Sequence, residues 1–211
     1  TTFGQIQTKV SKRLLDPNNV SVSASDVADS VNDAIRYWKY RRFWFNEVND
    51  SVTLTAESSV LPITGDFLVS TMKDDGFNIE YSEQRYPLTK LSNQEYDSII
   101  MQNGYGRPRA YARTGEIYEL YPIPDRDYTL NRHYLKEYAD LVDDSDTNDF
   151  TDNAARLIML WATANLTAEF KQDDKMEAYY RSAADNEAET LKIMTTKSNS
   201  TGRLTNHCNL I

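Results

Sequence analysis

At 211 residues the chain accommodates one large domain or two small ones, and 40% hydrophobic with 26% charged residues is the composition of a folded protein rather than a disordered one. The formal net charge is −9 and no run of lysine and arginine exceeds a pair such as Arg41-Arg42, which argues against a duplex-binding protein that displaces counterions with a basic face. A single cysteine, Cys208, excludes an intrachain disulfide and a multi-thiolate zinc site; no apolar run approaches the roughly 20 residues that span a bilayer, and the start Thr1-Thr2-Phe3-Gly4 has no signal-peptide pattern. These features predict a soluble chain, made in a reducing compartment and without a membrane partner.

Ile6, Val10 and Leu14 form one apolar stripe, predicting a short helix over Phe3 to Leu15 that Asp16-Pro17-Asn18-Asn19 breaks. Ser23 and Asp26 form a capping pair for a second helix, with Val27, Val31, Ala34, Ile35 and Trp38 on one face and an end near Arg41. Tyr37, Trp38, Tyr40, Phe43, Trp44 and Phe45 then crowd together, too many rings for one helical stripe. Two readings stand: some of them face another domain or chain, or the helix end is buried between two layers of the same subunit. The 14 tyrosines of the chain leave the same choice open, between an amphipathic interface and a tyrosine-rich core.

From Val48 to Tyr138 the periodicity becomes that of strands. Val52 and Leu54 alternate with polar neighbours, as do Phe77, Ile79 and Tyr81, then Ile117 to Tyr121, then Tyr128 to Tyr138. Asp74-Asp75-Gly76, Thr114-Gly115 and Pro122-Ile123-Pro124-Asp125 supply turns, and the short spacings predict antiparallel hairpins. Ser92 and Glu95 cap one interrupting helix with Tyr96, Ile99 and Ile100 on its apolar side. After the acidic loop Asp140 to Asp149, Ala155, Ile158, Met159, Ala162, Leu166 and Phe170 mark a long helix. Asp173-Asp174 turns the chain into another helix, with Met176, Tyr179, Tyr180, Ala183, Leu191 and Met194, packed antiparallel on the first. The predicted fold class is α+β: a helical bundle from the N- and C-terminal helices with an inserted antiparallel β domain. The expected divisions are 1–46, 47–139, 140–197 and a polar tail 198–211 that orders on a partner.

Chemistry-bearing motifs are sparse. His133 lies in a strand pattern, where a lone histidine is ordinarily a surface or satisfied residue, and His207 with Cys208 lacks a third group. Asn103-Gly104-Tyr105-Gly106 lacks the context of a phosphate loop. Asp144, Asp146 and Asn148 alternate like the start of a calcium loop, but Asp149 stands where glycine is needed and Ala155 where a bidentate glutamate is needed. A solvated loop that caps the next helix accounts for them. No cofactor, metal or catalytic residue is expected, although Asp143 and Asp144 would be the carboxylates of a small metal-dependent hydrolase if the chain were one.

The order of several short signals resembles one family. An N-terminal helix ends in Leu15-Asp16-Pro17, and a second runs from Asn32-Asp33-Ala34-Ile35 into Phe43-Trp44-Phe45. Leu61-Pro62-Ile63-Thr64-Gly65-Asp66-Phe67-Leu68 follows, then Gly106-Arg107-Pro108-Arg109-Ala110-Tyr111, Tyr121-Pro122-Ile123-Pro124-Asp125, Asp143-Asp144 with Thr147-Asn148, and the terminal helix hairpin. Together these resemble the phage head-to-tail adaptor, or connector, family that includes the tail tubular A protein of short-tailed phages. The resemblance implies a structural virion protein, made in the host cytoplasm and placed at the head-tail interface. It implies a homo-oligomeric ring of twelve subunits between the portal protein and the tail nozzle protein, with genomic DNA passing through without specific binding. Tyr37, Tyr40, Arg41, Arg42, Phe43, Trp44, Phe45, Leu204, Leu210 and Ile211 are the expected subunit or portal interface; Asp74, Asp75, Arg107 and Arg109 are expected to face the nozzle. A tail-completion or stopper protein of a tailed phage is the alternative.

Overall fold

Two hydrophobic cores organise the chain, one made by helices from both ends and one made by the strands between them. The computed structural model describes residues 1–63, 65–70, 76–101, 104–115 and 117–199. Among the described residues, one unit comprises Thr1–Asn46 and 138–199, the other Glu47–Glu137. The fold is α+β.

In the helical unit, α1 (Phe3–Arg13) begins with a capping box in which Thr2 and Gln5 satisfy each other's backbone N–H groups. It buries Phe3, Ile6 and Val10 and ends with Lys12 and Arg13, which suit the negative end of the helix. The break after it is more than a turn. Asp16 is only 7% exposed, and its carboxylate accepts from the backbone N–H of Val20 (2.9 Å), Ser21 (2.8 Å) and Val22 (2.8 Å), and from the Ser21 hydroxyl (2.8 Å). These donors, the Val20 amide foremost, hold its pKa well below the usual carboxylate range. A depressed pKa gives stability that is complete above the unfolded value of about 4 and is lost as pH falls towards the folded one. The Asp16→Asn variant is therefore expected to melt lower at pH 7 and to show a smaller drop between pH 7 and pH 3 than the parent, a comparison that thermal melts provide.

The helix α2 (Ala24–Trp38) starts at the Ser23–Asp26 capping box and buries Val27, Val31, Ala34, Ile35 and Trp38. It stops three residues short of the expected Arg41 because Asn46, fully buried, turns the chain. The amide N–H of Phe43 donates to Asn46 Oδ1 (2.9 Å), while Asn46 Nδ2 donates to the carbonyls of Arg41 (2.8 Å) and Lys39 (3.3 Å). After the acidic loop come α4 (Asp149–Asn153) and α5 (Ala155–Leu166), then a π-helical turn at Thr167–Lys171, then α6 (Asp174–Asn199); α3 (Asn93–Ile100) belongs to the other unit. Every residue of α5 from Leu157 to Ala164 is buried, so it is the central helix rather than a one-stripe surface helix. It also ends earlier than expected, and Phe170 lies in the π-helical turn, 38% exposed. Arg156, at the start of α5, pairs with Glu187 in the middle of α6 at 3.3 Å, as antiparallel packing requires.

In the β unit, β8 (Tyr128–Lys136) is the central strand. It pairs antiparallel with β1 (Glu47–Leu54) along one edge, and with β2 (Phe67–Ser70) and β3 (Phe77–Tyr81) along the other, where β3 also pairs with β4 (Gln84–Pro87). The last strand ends at Lys136, two residues before the expected Tyr138. A smaller sheet holds β5 (Thr89–Lys90), β6 (Ala110–Thr114) and β7 (Ile117–Tyr121). Its β5–β6 pair is parallel, against the expectation of antiparallel hairpins alone. The connection between these strands contains α3 (Asn93–Ile100), long enough for the crossover that a parallel pair needs. The core gathers Leu54, Phe77, Ile79, Tyr111, Leu120 and Leu130. Tyr96, Tyr111, Tyr118, Tyr128, Tyr134 and Tyr138 are buried, so much of the tyrosine content serves the cores.

One cation enters the β unit. The Arg132 side chain is 2% exposed; Nε donates to Asp50 Oδ1 (2.7 Å), Nη2 to Asp50 Oδ2, and Nη1 to the Pro62 carbonyl (2.8 Å). His133, beside it, meets Glu47 at 2.9 Å, the satisfied strand histidine that its sequence position predicts.

Candidate interface of the helical unit

The aromatic segment after α2 divides between core and surface. Trp38 and Phe43 are 5% and 2% exposed. Phe45 stacks on Phe43 (5.3 Å between centroids, 9° between planes) and meets the edge of Phe150, and Trp44 stands edge-on to Phe45. The Trp44 amide donates to Thr195 Oγ1 (3.1 Å), which ties this segment to α6. Phe43, Trp44 and Phe45 thus anchor the segment inside its own unit, while Tyr37 and Tyr40 stay 47% and 60% exposed. Tyr37 lies flat on Trp161 (4.3 Å, 21°), and the Arg181 guanidinium sits 4.3 Å from the same indole, so an otherwise apolar surface is covered by groups with polar ends.

A groove of about 820 Å3 opens between this segment and the second half of α6. Trp38, Phe43 and Ala188 supply apolar lining; Arg41 and Arg42 border it from one side, Asp185, Glu189 and Lys192 from α6. Lys192 pairs with Glu189 at 3.2 Å, and Arg41 makes no ion pair with a described residue. The groove is apolar within and charged at its rim. The α6 half was hidden in the sequence, where Asp185 to Glu189 reads as a polar stretch; the signal was the spacing of Ala184, Ala188, Leu191 and Thr195, which repeats at three to four residues.

Among the other expected positions, Arg107 is half-buried with its guanidinium 3.6 Å above the centre of the Tyr86 ring, and Arg109 is exposed. Asp74, Asp75, Leu204, Leu210 and Ile211 lie outside the described residues, as do His207 and Cys208. The structure brings Tyr40, Arg41, Arg42 and Phe43 to one groove and leaves Arg107 and Arg109 in the other unit.

The acidic loop is held by its own backbone. Asp146 Oδ2 accepts from the amides of Val142 and Asp143 (both 2.8 Å), which lowers its pKa; the side chain of Asn148 caps α4; and the Tyr138 hydroxyl donates to Asp149 Oδ2 (2.9 Å). Two of the three alternating ligands of the calcium-like pattern are therefore engaged with backbone N–H groups, and the described residues contain no cluster of three or more metal-ligating side chains. No helix among the described residues is long and apolar enough to cross a membrane.

Across residues 1–206 the chain matches the family described as SU10 adaptor protein. No curated protein matches it.

Proposed function

The chain belongs to the SU10 adaptor protein family and is a phage adaptor protein, and from that premise we propose that its copies form a closed ring, twelvefold by the family resemblance, between the portal and the tail nozzle. The observation that carries this reading is the groove beside Tyr40, Arg41 and Arg42: it has an apolar floor, a charged rim and no catalytic constellation, so it suits a protein partner. In this reading the groove and the segment 198–211 meet the portal, and Arg107 and Arg109 belong to the surface that meets the nozzle. The net charge of −9 supports the conduit role, because a ring that gripped phosphate would retard the passage of DNA.

The test is negative-stain electron microscopy of the purified chain mixed with the portal of its phage. A ring added beneath each portal, with the portal's rotational symmetry, is the expected result. The double variant Tyr40→Ala, Arg41→Glu should lower the fraction of ring-bearing portals at least tenfold with its helix content unchanged, and truncation after Lys197 should weaken binding as well. Bare portals beside folded wild-type chain that caps isolated tails would replace this reading with that of a tail-completion protein.

A further inference from the structure

A second groove, of about 580 Å3, opens on the helical unit among α1, α5 and α6. Met159, Leu160 and Ala183 give it an apolar lining, with Tyr179, 68% exposed, at its margin. Lys9 and Arg13 from α1 and Arg156 from α5 make its rim cationic. Glu187 already compensates Arg156. Lys9 and Arg13 make no ion pair with a described residue, and Nη1 of Arg13 is covered by protein yet finds no acceptor there. A guanidinium partly withdrawn from water without a counter-charge is costly, so this groove favours an occupant that is acidic with an apolar tip.

The same unit presents such a segment. Val142 is 79% exposed, and Asp143 and Asp144 beside it are exposed with no described cation as partner. The segment is held in shape. Leu141 exchanges two hydrogen bonds with the buried Asn32 side chain (both 3.0 Å), and the Asp146 carboxylate closes the turn. The first amides of α1 clamp its far side: Gly4 N–H donates to the Asp144 carbonyl (3.0 Å) and Phe3 N–H to that of Asp146 (2.9 Å). A Cβ at position 4 would stand 2.9 Å from the Asp144 side chain, so a larger residue there would displace the loop. A loop already ordered loses little entropy on docking.

Within one copy Asp143 and Asp144 make no ion pair with Lys9 or Arg13. The loop is pinned at the first turn of α1, while Lys9 and Arg13 lie in its second half; at 1.5 Å per residue, Arg13 is about 13 Å along the axis from Gly4. Acidic knob and cationic groove therefore sit towards opposite ends of one helix, the arrangement of a head-to-tail contact, which closes into a ring when its rotation divides a full turn. We propose that the Val142–Asp144 loop of one copy docks in the Lys9–Arg13 groove of the next, as the repeating contact between subunits. The occupant is a second copy of this chain, and the assignment rests on the ring reading above.

Charge reversal tests it on portal-assembled rings. Asp143→Lys with Asp144→Lys, or Lys9→Glu with Arg13→Glu, should each lower ring occupancy at least tenfold, and all four substitutions together should restore most of it. As a check that does not depend on reversing charge at a helix end, Val142→Cys with Ala183→Cys in a Cys208→Ser background should give a ladder of covalent multimers on oxidation. Reversed variants that ring the portal as well as wild type, or oxidised rings without a ladder, would overturn the contact and leave the ring standing. Failure of the wild type itself to form rings would overturn both.

Discussion

Truncating Phe150 to alanine is expected to lower the stability of the helical unit by about 4 kcal/mol, the middle of the range for a buried aromatic. Its side chain is fully buried and touches the edges or faces of three rings from two distant parts of the chain: Phe43 (6.3 Å), Phe45 (5.2 Å) and Tyr138 (5.1 Å). Removing it forfeits the transfer energy of the ring, those aromatic contacts, and the packing around a cavity that surrounding helices close only in part. The measurement is direct, because Trp38, Trp44 and Trp161 are the only tryptophans and all lie in this unit. Urea unfolding followed by tryptophan fluorescence should show the loss, with Phe150→Leu costing much less. A change under 1 kcal/mol for the alanine variant would mean that this aromatic junction does not hold the unit together.

The second large effect falls on Asp50. Replacing it by alanine strands the Arg132 guanidinium, which is buried and whose pKa is raised chiefly by its hydrogen bonds to that carboxylate. Breaking a buried pair from one side costs roughly 3–5 kcal/mol, and because Asp50 is itself 33% exposed the expected loss lies near the lower figure, about 3 kcal/mol. The converse change should be milder. Arg132→Met keeps most of the volume, removes the charge that needs compensation, and leaves a carboxylate that water reaches. Hydrogen exchange of the β1 and β8 amides should therefore accelerate more in Asp50→Ala than in Arg132→Met. The opposite order would show that the guanidinium is solvated enough to stand alone.

What the sequence made legible was local. Ser23 with Asp26 and Ser92 with Glu95 mark their helices because a capping box needs only four consecutive residues, and the alternation of β1, β3, β7 and β8 is likewise contained within each strand. The missing pieces depend on partners far along the chain. The end of α2 is set by Asn46, eight residues beyond Trp38, and Gln84-Arg85-Tyr86-Pro87 is almost wholly exposed, so β4 has no buried alternation to read. The six rings of the Tyr37–Phe45 segment share no single destination, because Trp38 and Phe43 turn inwards while Tyr37 and Tyr40 stay at the surface. Both grooves exist only where α6 comes alongside other parts of the helical unit, a juxtaposition no single stretch of sequence contains.

Glu47 opens β1 and Lys136 closes β8, and the two strands are neighbours in register, with Glu47 opposite Leu135. The chain therefore leaves the helices and returns to them at almost the same point. To α2 and α5, the whole β unit is entropically equivalent to a short hairpin, since the closing of that long loop is completed by the β1–β8 ladder rather than by the helices. The length of everything between Leu54 and Tyr128 can then drift with little penalty to the bundle. A lineage could remodel this cassette wholesale while keeping the helices unchanged.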